Sequence, residues 1–538
     1  MQTFFFKHYL IFDIFLDFLC KTFLIFNYKV NLFTFYRWFL KDEIMTNANQ
    51  WGSTLTFILA MIGSAVGLGN IWRYPYVLYS SGGGAFFVPY IIAILLMGIP
   101  ILFLEYGIGF KFKSSFAKTI TQIDSRWQFL GWFIPICLLT VMIYYSSLLS
   151  FDGIYIFLSM FKAWGADPNL FYSSTLTHST TNVSGVLNFI PVVAIALLIV
   201  WSLVWFISHR DLEKGLGRVS KVLVPLLFLI MLLIVVFSVT LPGASIGLAE
   251  LYAPDWSLLT DFNIWMLAFS QIIFSLNIGL SGTITFAGYL KDDTDIITNT
   301  LIIALANSFF ENISAIAVFS ILGYMSLQTA TPVSDIVSQG TGLIFVVYPA
   351  VFNILGQWAY IIGPLFFLTI FIAGLTSILT MIEPLSFSIQ NKFDISRKRT
   401  VTILCIIGGL ASMMYATAFG GTLLEYVDTY INQIAVLFCL ILECILFAWV
   451  YKAENLVDYL NSKSRSIKVG KSWLFIVKYL LPIGIAFVWF GGMAEIVQDY
   501  SLERLAITLI CAIVVFAACL FLTLKKPTNP MWGDVNGD

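Results

Sequence analysis

The sequence predicts an all-α polytopic membrane protein, and three observations predict it. The 538 residues are 59% hydrophobic and only 11% charged, with a mean hydropathy of +0.89. An ordinary water-soluble chain carries about 25% charged residues, so this one has too little charge to cover a surface in water. Hydrophobic runs long enough to cross a bilayer recur from Trp51 to Leu524. Lys and Arg, in turn, collect in alternate loops. A soluble enzyme and a disordered regulator are excluded together. The formal net charge of −1 leaves no basic footprint for nucleic acid.

Twelve transmembrane helices are expected, near 52–78, 85–109, 129–161, 187–207, 219–241, 262–289, 299–325, 357–389, 400–417, 422–450, 473–490 and 502–524. Several exceed what the bilayer needs, which implies tilt or a break. Segment 329–356, with Pro332, Gly340 and Pro349, reads as a helical hairpin-like loop on the surface. The loops 110–128, 208–221, 390–399 and 451–471 hold Lys and Arg, whereas 163–186, 242–261 and 326–356 hold none. By the positive-inside rule the first set is cytoplasmic and both termini lie inside a cell membrane. Residues 1–44 are Phe-rich but interrupted by Lys7, Asp13, Asp17 and Lys21. They read as an N-terminal extension, with Met45 as the expected natural start, and an extra amphipathic or spanning helix as the alternative.

Chemistry is sparse. The seven Cys form no CxxC, and the three His are scattered, so no metal centre or organic cofactor is expected. No nucleotide-binding loop is visible either, and the chain reads as a non-enzyme.

Two runs are interrupted in matching places. Run one carries Gly63-Ser64-Ala65-Val66-Gly67-Leu68-Gly69-Asn70, and run six carries Asn277-Ile278-Gly279-Leu280-Ser281-Gly282. Each helical Gly costs about 1 kcal/mol against Ala. Run one enters from the cytoplasm and run six from outside. Two broken helices in halves of opposite orientation point to a 5+5 inverted repeat with a site at the membrane midplane. The expected parts are 45–241 (runs one to five), 242–450 (runs six to ten), and 451–538 (two further helices and a short tail). Taken alone, Gly63 and Gly67 also fit a small-xxx-small packing motif.

The stretch from Gly63 through Asn70 to Ile71-Trp72-Arg73-Tyr74-Pro75 resembles the first-span signature of the neurotransmitter:sodium symporter family. Gly82-Gly83-Gly84-Ala85-Phe86 and Ala373-Gly374-Leu375-Thr376-Ser377 extend the resemblance, which runs from about Trp51 to run twelve and is nearest to the bacterial leucine transporter. It implies a leucine-transporter-like fold with helices 1 and 6 broken, and a sodium-coupled symporter working by alternating access. It also implies two sodium sites. One would use Ala65, Asn70, Ser275 and Asn307. The other would use Gly63, Val66, Ala373, Thr376 and Ser377. For Thr376 and Ser377, bonding back to a helix carbonyl is the alternative.

By the same resemblance the substrate carboxylate meets Leu68, Gly69 and Tyr145. The ammonium meets carbonyls around Phe274, Ser275 and Asn277, and the side chain meets Val141, Phe274, Leu280, Ser377 and Met381. Gly67 stands where amine-carrying relatives have Asp, which favours a neutral, hydrophobic amino acid over an amine. Arg73 and Asp428 would form the extracellular gate, with a snorkelling Arg as the less favoured alternative. Glu311, framed by Tyr90, Gln271 and Ser275, would substitute for chloride and make transport chloride-independent. At the inner side Ala48 and Asn391 replace both members of an ion pair, so closure is expected to rest on Trp51, Tyr289 and packing. A symporter of osmolytes or other amines, a channel and a non-transporting sensor remain the rivals. The bilayer and a small-molecule amino acid are the expected partners, and an oligomer is compatible but not required.

Overall fold

The computed structural model describes residues 50–532 except 339, 466, 499 and 500. The expectations for residues 1–44, Met45 and Ala48 therefore lie outside the described residues. Among these, the regular elements are helices, with one isolated bridge between Phe189 and Thr417. In chain order the main ones are α1 (Thr54–Ala65), α2 (Gly69–Ser80), α3 (Gly83–Phe112), α4 (Ser125–Ser159), α5 (Pro191–Ser208), α6 (Glu213–Val239), α7 (Phe262–Ser275) and α8 (Gly282–Gly288). There follow α9 (Ile296–Thr329), α10 (Gly340–Ile354), α11 (Gly356–Phe393), α12 (Arg397–Ser412), α13 (Gly420–Val450), α14 (Lys471–Met493) and α15 (Leu502–Leu524).

Nine of these helices are long and apolar enough to cross a bilayer, or ten if α1 and α2 form one bent span. Expected run six is present as α7 and α8, of 14 and 7 residues, and run nine as the 16-residue α12. Length and composition thus support ten of the twelve expected spans. The break accounts for one difference, and the 16-residue length of α12 for the other. The protein is an all-α polytopic membrane protein.

Local chemistry explains the two interruptions. Helix α1 starts where the Ser53 side chain accepts the Thr56 N–H, and stops where Val66 turns to ψ 93°. The axis then swings by 55° into α2. Between α7 and α8, Asn277, Gly279 and Ser281 take φ of 52°, 74° and 60°. A left-handed non-glycine residue costs about 1–2 kcal/mol. At Asn277 this is offset by its amide, which donates to the Ser64 carbonyl oxygen at 2.6 Å.

Helices α4 and α11 are central, with 72% and 83% of their apolar windows buried, while α14 and α15 are peripheral, with 22% and 17%. Helices α6 and α15 present Leu229, Val236, Ile513 and Phe516 outward, as lipid contact requires. Helix α8 is pressed onto α3. A Cβ at Gly109 would fall 2.0 Å from the Ile284 carbonyl oxygen, so only Gly fits there.

Segment 329–356 corrects an expectation. Rather than a surface loop, its main element, α10, buries Leu343, Ile344, Phe345, Tyr348, Val351 and Phe352. Phe345 packs on Tyr155 of α4, with ring centroids 4.9 Å apart, and Tyr348 stacks on Phe366 of α11 at 3.8 Å. Aromatic side chains at helical spacing gave α10 an inward face.

At one end of the bundle the C-terminal segment is clipped to α11. The buried Lys392 ammonium caps the end of α15 through the Leu522 and Thr523 carbonyls, at 2.5 and 3.1 Å. The Lys392 carbonyl accepts the Thr528 and Asn529 N–H groups, and Trp532 stacks on Trp132 with centroids 5.8 Å apart.

Candidate functional site

The two breaks meet at the centre of the protein, against α11. Most telling is the Ser377 hydroxyl. It lies 3.3 Å from the Gly63 carbonyl oxygen, 3.2 Å from Ser64, 3.4 Å from Val66 and 3.1 Å from Ala373. One hydroxyl has one proton to give. Four acceptors around it leave surplus lone pairs facing inward, a donor set suited to a hard cation. Thr376 sits beside it, its hydroxyl bonded to the Ile372 and Ala373 carbonyls at 3.1 and 3.0 Å. The structure therefore brings together the residues of the second expected sodium site, and the set fits such an ion. Thr376 bonds back to its own helix, whereas Ser377 also reaches across to α1.

Three residues of the first expected sodium site form a chain. Asn70 donates to the Asn307 amide oxygen at 2.8 Å, and Asn307 donates to the Ser275 hydroxyl at 2.9 Å. The Asn70 amide oxygen is taken by the Gly67 N–H at 2.9 Å. Ala65 ends α1 close by in sequence. Here the amide oxygens already have N–H donors, so this cluster is satisfied within the protein.

Next to these residues the Leu68 N–H donates to the Tyr145 hydroxyl at 3.3 Å. A Cβ at Gly69 would meet no atom within 4 Å, so the start of α2 borders open space. A Cβ at Gly67 would instead lie 3.1 Å from the Ser377 hydroxyl and 3.3 Å from that of Tyr145. Any side chain at Gly67 intrudes on this spot. Of the expected substrate residues, Asn277, Leu280 and Met381 line a small cavity, together with Ser64, Tyr106 and Thr283. Val141, Tyr145 and Phe274 do not line it. Only part of the expected substrate pocket therefore faces this cavity.

Outside this centre, the expected gate differs. Arg73 does not pair with Asp428. Its guanidinium donates to Gln271 at 3.0 Å and Ser270 at 3.2 Å, and lies 4.8 Å above the Phe274 ring. Asp428 accepts from Asn432 at 2.7 Å instead. The reason is Gln271. Its oxygen faces Arg73 while its nitrogen donates to Glu311 at 2.7 Å. One neutral side chain thus satisfies a cation on one side and an acid on the other. Glu311 is fully buried and also accepts from the Tyr90 hydroxyl at 2.5 Å.

On the side of the expected cytoplasmic gate, the Trp51 backbone N–H donates to the Tyr289 carbonyl at 3.1 Å and its indole N–H to the Phe286 carbonyl at 2.9 Å. Closure does not rest on Trp51, Tyr289 and packing alone. Tyr289 donates to Glu383 at 2.7 Å, and Arg397 clamps that carboxylate with two bonds of 2.6 and 2.7 Å. Glu383 is a carboxylate inside run eight, which is the signal that could have found it. Asn391 faces Ser114 and Ser115. Glu105 was overlooked in the same way. It accepts the Gly279 N–H at 2.9 Å and the Thr283 hydroxyl, holding the second break open.

A membrane bundle with two interrupted helices whose carbonyls face one another at its centre has the build of a membrane carrier. The profile of the sodium:neurotransmitter symporter family matches residues 48–189 and 169–525. The chain belongs to that family, and is a sodium-dependent symporter in a membrane. It is 33% identical over 450 residues to an uncharacterized sodium-dependent transporter of Methanocaldococcus jannaschii, covering 84% of this chain and 91% of that one. A sodium-dependent nutrient amino acid transporter of Drosophila pseudoobscura pseudoobscura is 27% identical over 505 residues, 85% of this chain and 76% of its own. A sodium- and chloride-dependent GABA transporter of Drosophila melanogaster is 28% identical over 480 residues, 82% of this chain and 51% of its own.

Proposed function

We propose that this symporter imports a neutral, hydrophobic amino acid with sodium, by alternating access and without chloride. The observation that carries the reading is the ring of carbonyls around Ser377, an oxygen-only donor set made from both a broken helix and α11. A second sodium ion would use Ala65, Asn70, Ser275 and Asn307, with the substrate carboxylate completing its shell. Open space at Gly69 beside the Tyr145 hydroxyl suits that carboxylate at a helix N-terminus. Gly67 leaves no acidic partner for a bare amine, and the nutrient amino acid transporter among the relatives supports the same substrate class.

Glu311 supplies the fixed negative charge that chloride brings elsewhere, held by Tyr90 and Gln271. Arg73 and Asp428 would approach as the outer side closes, and the Glu383–Arg397 pair would part as the inner side opens. The two inverted repeats, 45–241 and 242–450, would move against each other in a cell membrane with both termini inside. Entry of each sodium charge is worth about 2.3 kcal/mol per 100 mV.

The test is uptake by proteoliposomes of the full chain, with a panel of labelled amino acids and an inward sodium gradient. Concentrative uptake that vanishes when choline replaces sodium is expected, strongest for an apolar amino acid. Binding without accumulation would make the protein a sensor, and uptake indifferent to sodium would overturn the reading.

A further inference from the structure

Helix α1 has only 12 residues and is cut off from α2 at Val66. A helix of about 12 residues is marginal by itself, so the contacts at its ends decide where it sits. Its last turn carries the Gly63, Ser64 and Val66 carbonyls that face the Ser377 hydroxyl. At its start stands a carboxylate that neither the sodium ligands nor the gates use. Glu213, the first residue of α6, accepts the Gly52 N–H at 2.9 Å and the Thr56 hydroxyl at 3.4 Å. Ser53 caps α1 from within its own chain, and Glu213 acts as a second cap supplied by another helix. Its negative charge also suits the positive end of the α1 dipole.

Glu213 is itself fixed. The Lys221 ammonium, farther along α6, donates to it at 2.5 Å. Two glycines make room for the carboxylate. A Cβ at Gly52 would fall 2.7 Å from its carbon, and one at Gly217 of α6 would fall 3.0 Å from its oxygen. The seam continues toward the site, where a Cβ at Gly63 would meet Val224 of α6 at 2.7 Å. Helix α6 thus follows α1 from Gly52 to Gly63, and Glu213 fastens the start of that contact.

We propose that Glu213, oriented by Lys221, is a positioning residue for sodium: it docks α1 onto α6 and so holds the Gly63, Ser64 and Val66 carbonyls against Ser377. The inference rests on the sodium site at Ser377 proposed above. Thr56 and Gly63 are seven residues apart on one short helix, about 10 Å, so α1 carries a displacement at its start to the carbonyls. Releasing Gly52 and Thr56 frees α1 to swing as the side of the expected cytoplasmic gate opens. Sodium binds the docked arrangement, so its apparent affinity falls in proportion to the fraction of molecules still docked. By linkage, sodium tightens the Glu213 contact by the same factor.

The test is 22Na+ binding to the purified full chain, read as affinity and as number of sites. Glu213→Ala should raise the half-saturating sodium concentration about tenfold and leave the number of sites unchanged. Glu213→Gln keeps an acceptor for the Gly52 N–H and should stay within about threefold of wild type. Gly52→Ala pushes a methyl group onto the same carboxylate from the other helix. It should weaken sodium binding in the wild type and add nothing to Glu213→Ala, because the two changes break one contact. Unchanged affinity in Glu213→Ala, fewer sites of unchanged affinity, or independent effects of the two substitutions would each overturn the proposal. If Glu213→Ala does not fold, Gly52→Ala and Thr56→Val take its place, and wild-type affinity in both overturns it. Absence of saturable sodium binding by the wild type would instead overturn the sodium reading on which the inference rests.

Discussion

Ser377 and Glu311 show how far single residues carry the argument. The place of Ser377 was legible because it ends the Ala373–Ser377 motif, and that of Glu311 because a carboxylate is rare inside an apolar run such as run seven. Removing the Ser377 hydroxyl takes one oxygen from the carbonyl ring. Ser377→Ala should therefore weaken sodium binding by about tenfold, the equivalent of about 1–1.5 kcal/mol for one polar contact, measured as the half-saturating sodium concentration for uptake. Glu311→Ser tests a different property. With the carboxylate gone, Tyr90 and Gln271 lose their common acceptor and a small anion can take its place. Uptake by Glu311→Ser should fall severalfold in gluconate and recover in chloride, while the wild type stays indifferent. Chloride dependence in the wild type would show that Glu311 does not play this part. Glu383 and Glu105 were not legible in the same way. Their partners are Arg397 and Gly279, one beyond a helix end and one 174 residues away, and no local pattern announces either pairing.

At the scale of elements, the broken helices were readable and the arrangement around them only partly so. Glycines and Asn residues in mid-run marked both interruptions. The inward face of α10 was hidden because Pro332, Gly340 and Pro349 suggested a loop, while the aromatic side chains that bury it find their partners on α4 and α11. The inner closure is likewise a property of elements. Glu383 on α11 and Arg397 at the start of α12 tie two helices beneath Tyr289 of the second broken span. Stranding one charge of a buried pair costs about 3–5 kcal/mol, whereas replacing both costs far less. Glu383→Gln should thus expose the inner side, raising the labelling rate of a cysteine placed at Ser64 from the cytoplasmic face by tenfold or more. A double variant, Glu383→Gln with Arg397→Gln, should label more slowly than the single one. Equal rates for single variant and wild type would remove the pair from the closing machinery.

For the whole molecule, the charge pattern of the loops gives an orientation that labelling can check. Thr180→Cys, in a loop without Lys or Arg, should react with an impermeant maleimide in intact cells. Lys118→Cys should react only after the membrane is opened, and the reverse result would invert the topology. Most native cysteines are buried, so background labelling should be low. The clip between α11 and the C-terminal segment bears on how the last helix is held. Helix α15 has little of its surface inside the bundle, yet its final carbonyls rest on the Lys392 ammonium, and the following segment returns to stack Trp532 on Trp132. A chain ended after Leu524 would keep the Lys392 ammonium on the last carbonyls of α15 but lose the Thr528 and Asn529 bonds and the Trp532 stack, and with them part of what holds α15 to the bundle. Reporters and purification handles therefore belong beyond Trp532, where they do not prise the last helix from its mooring.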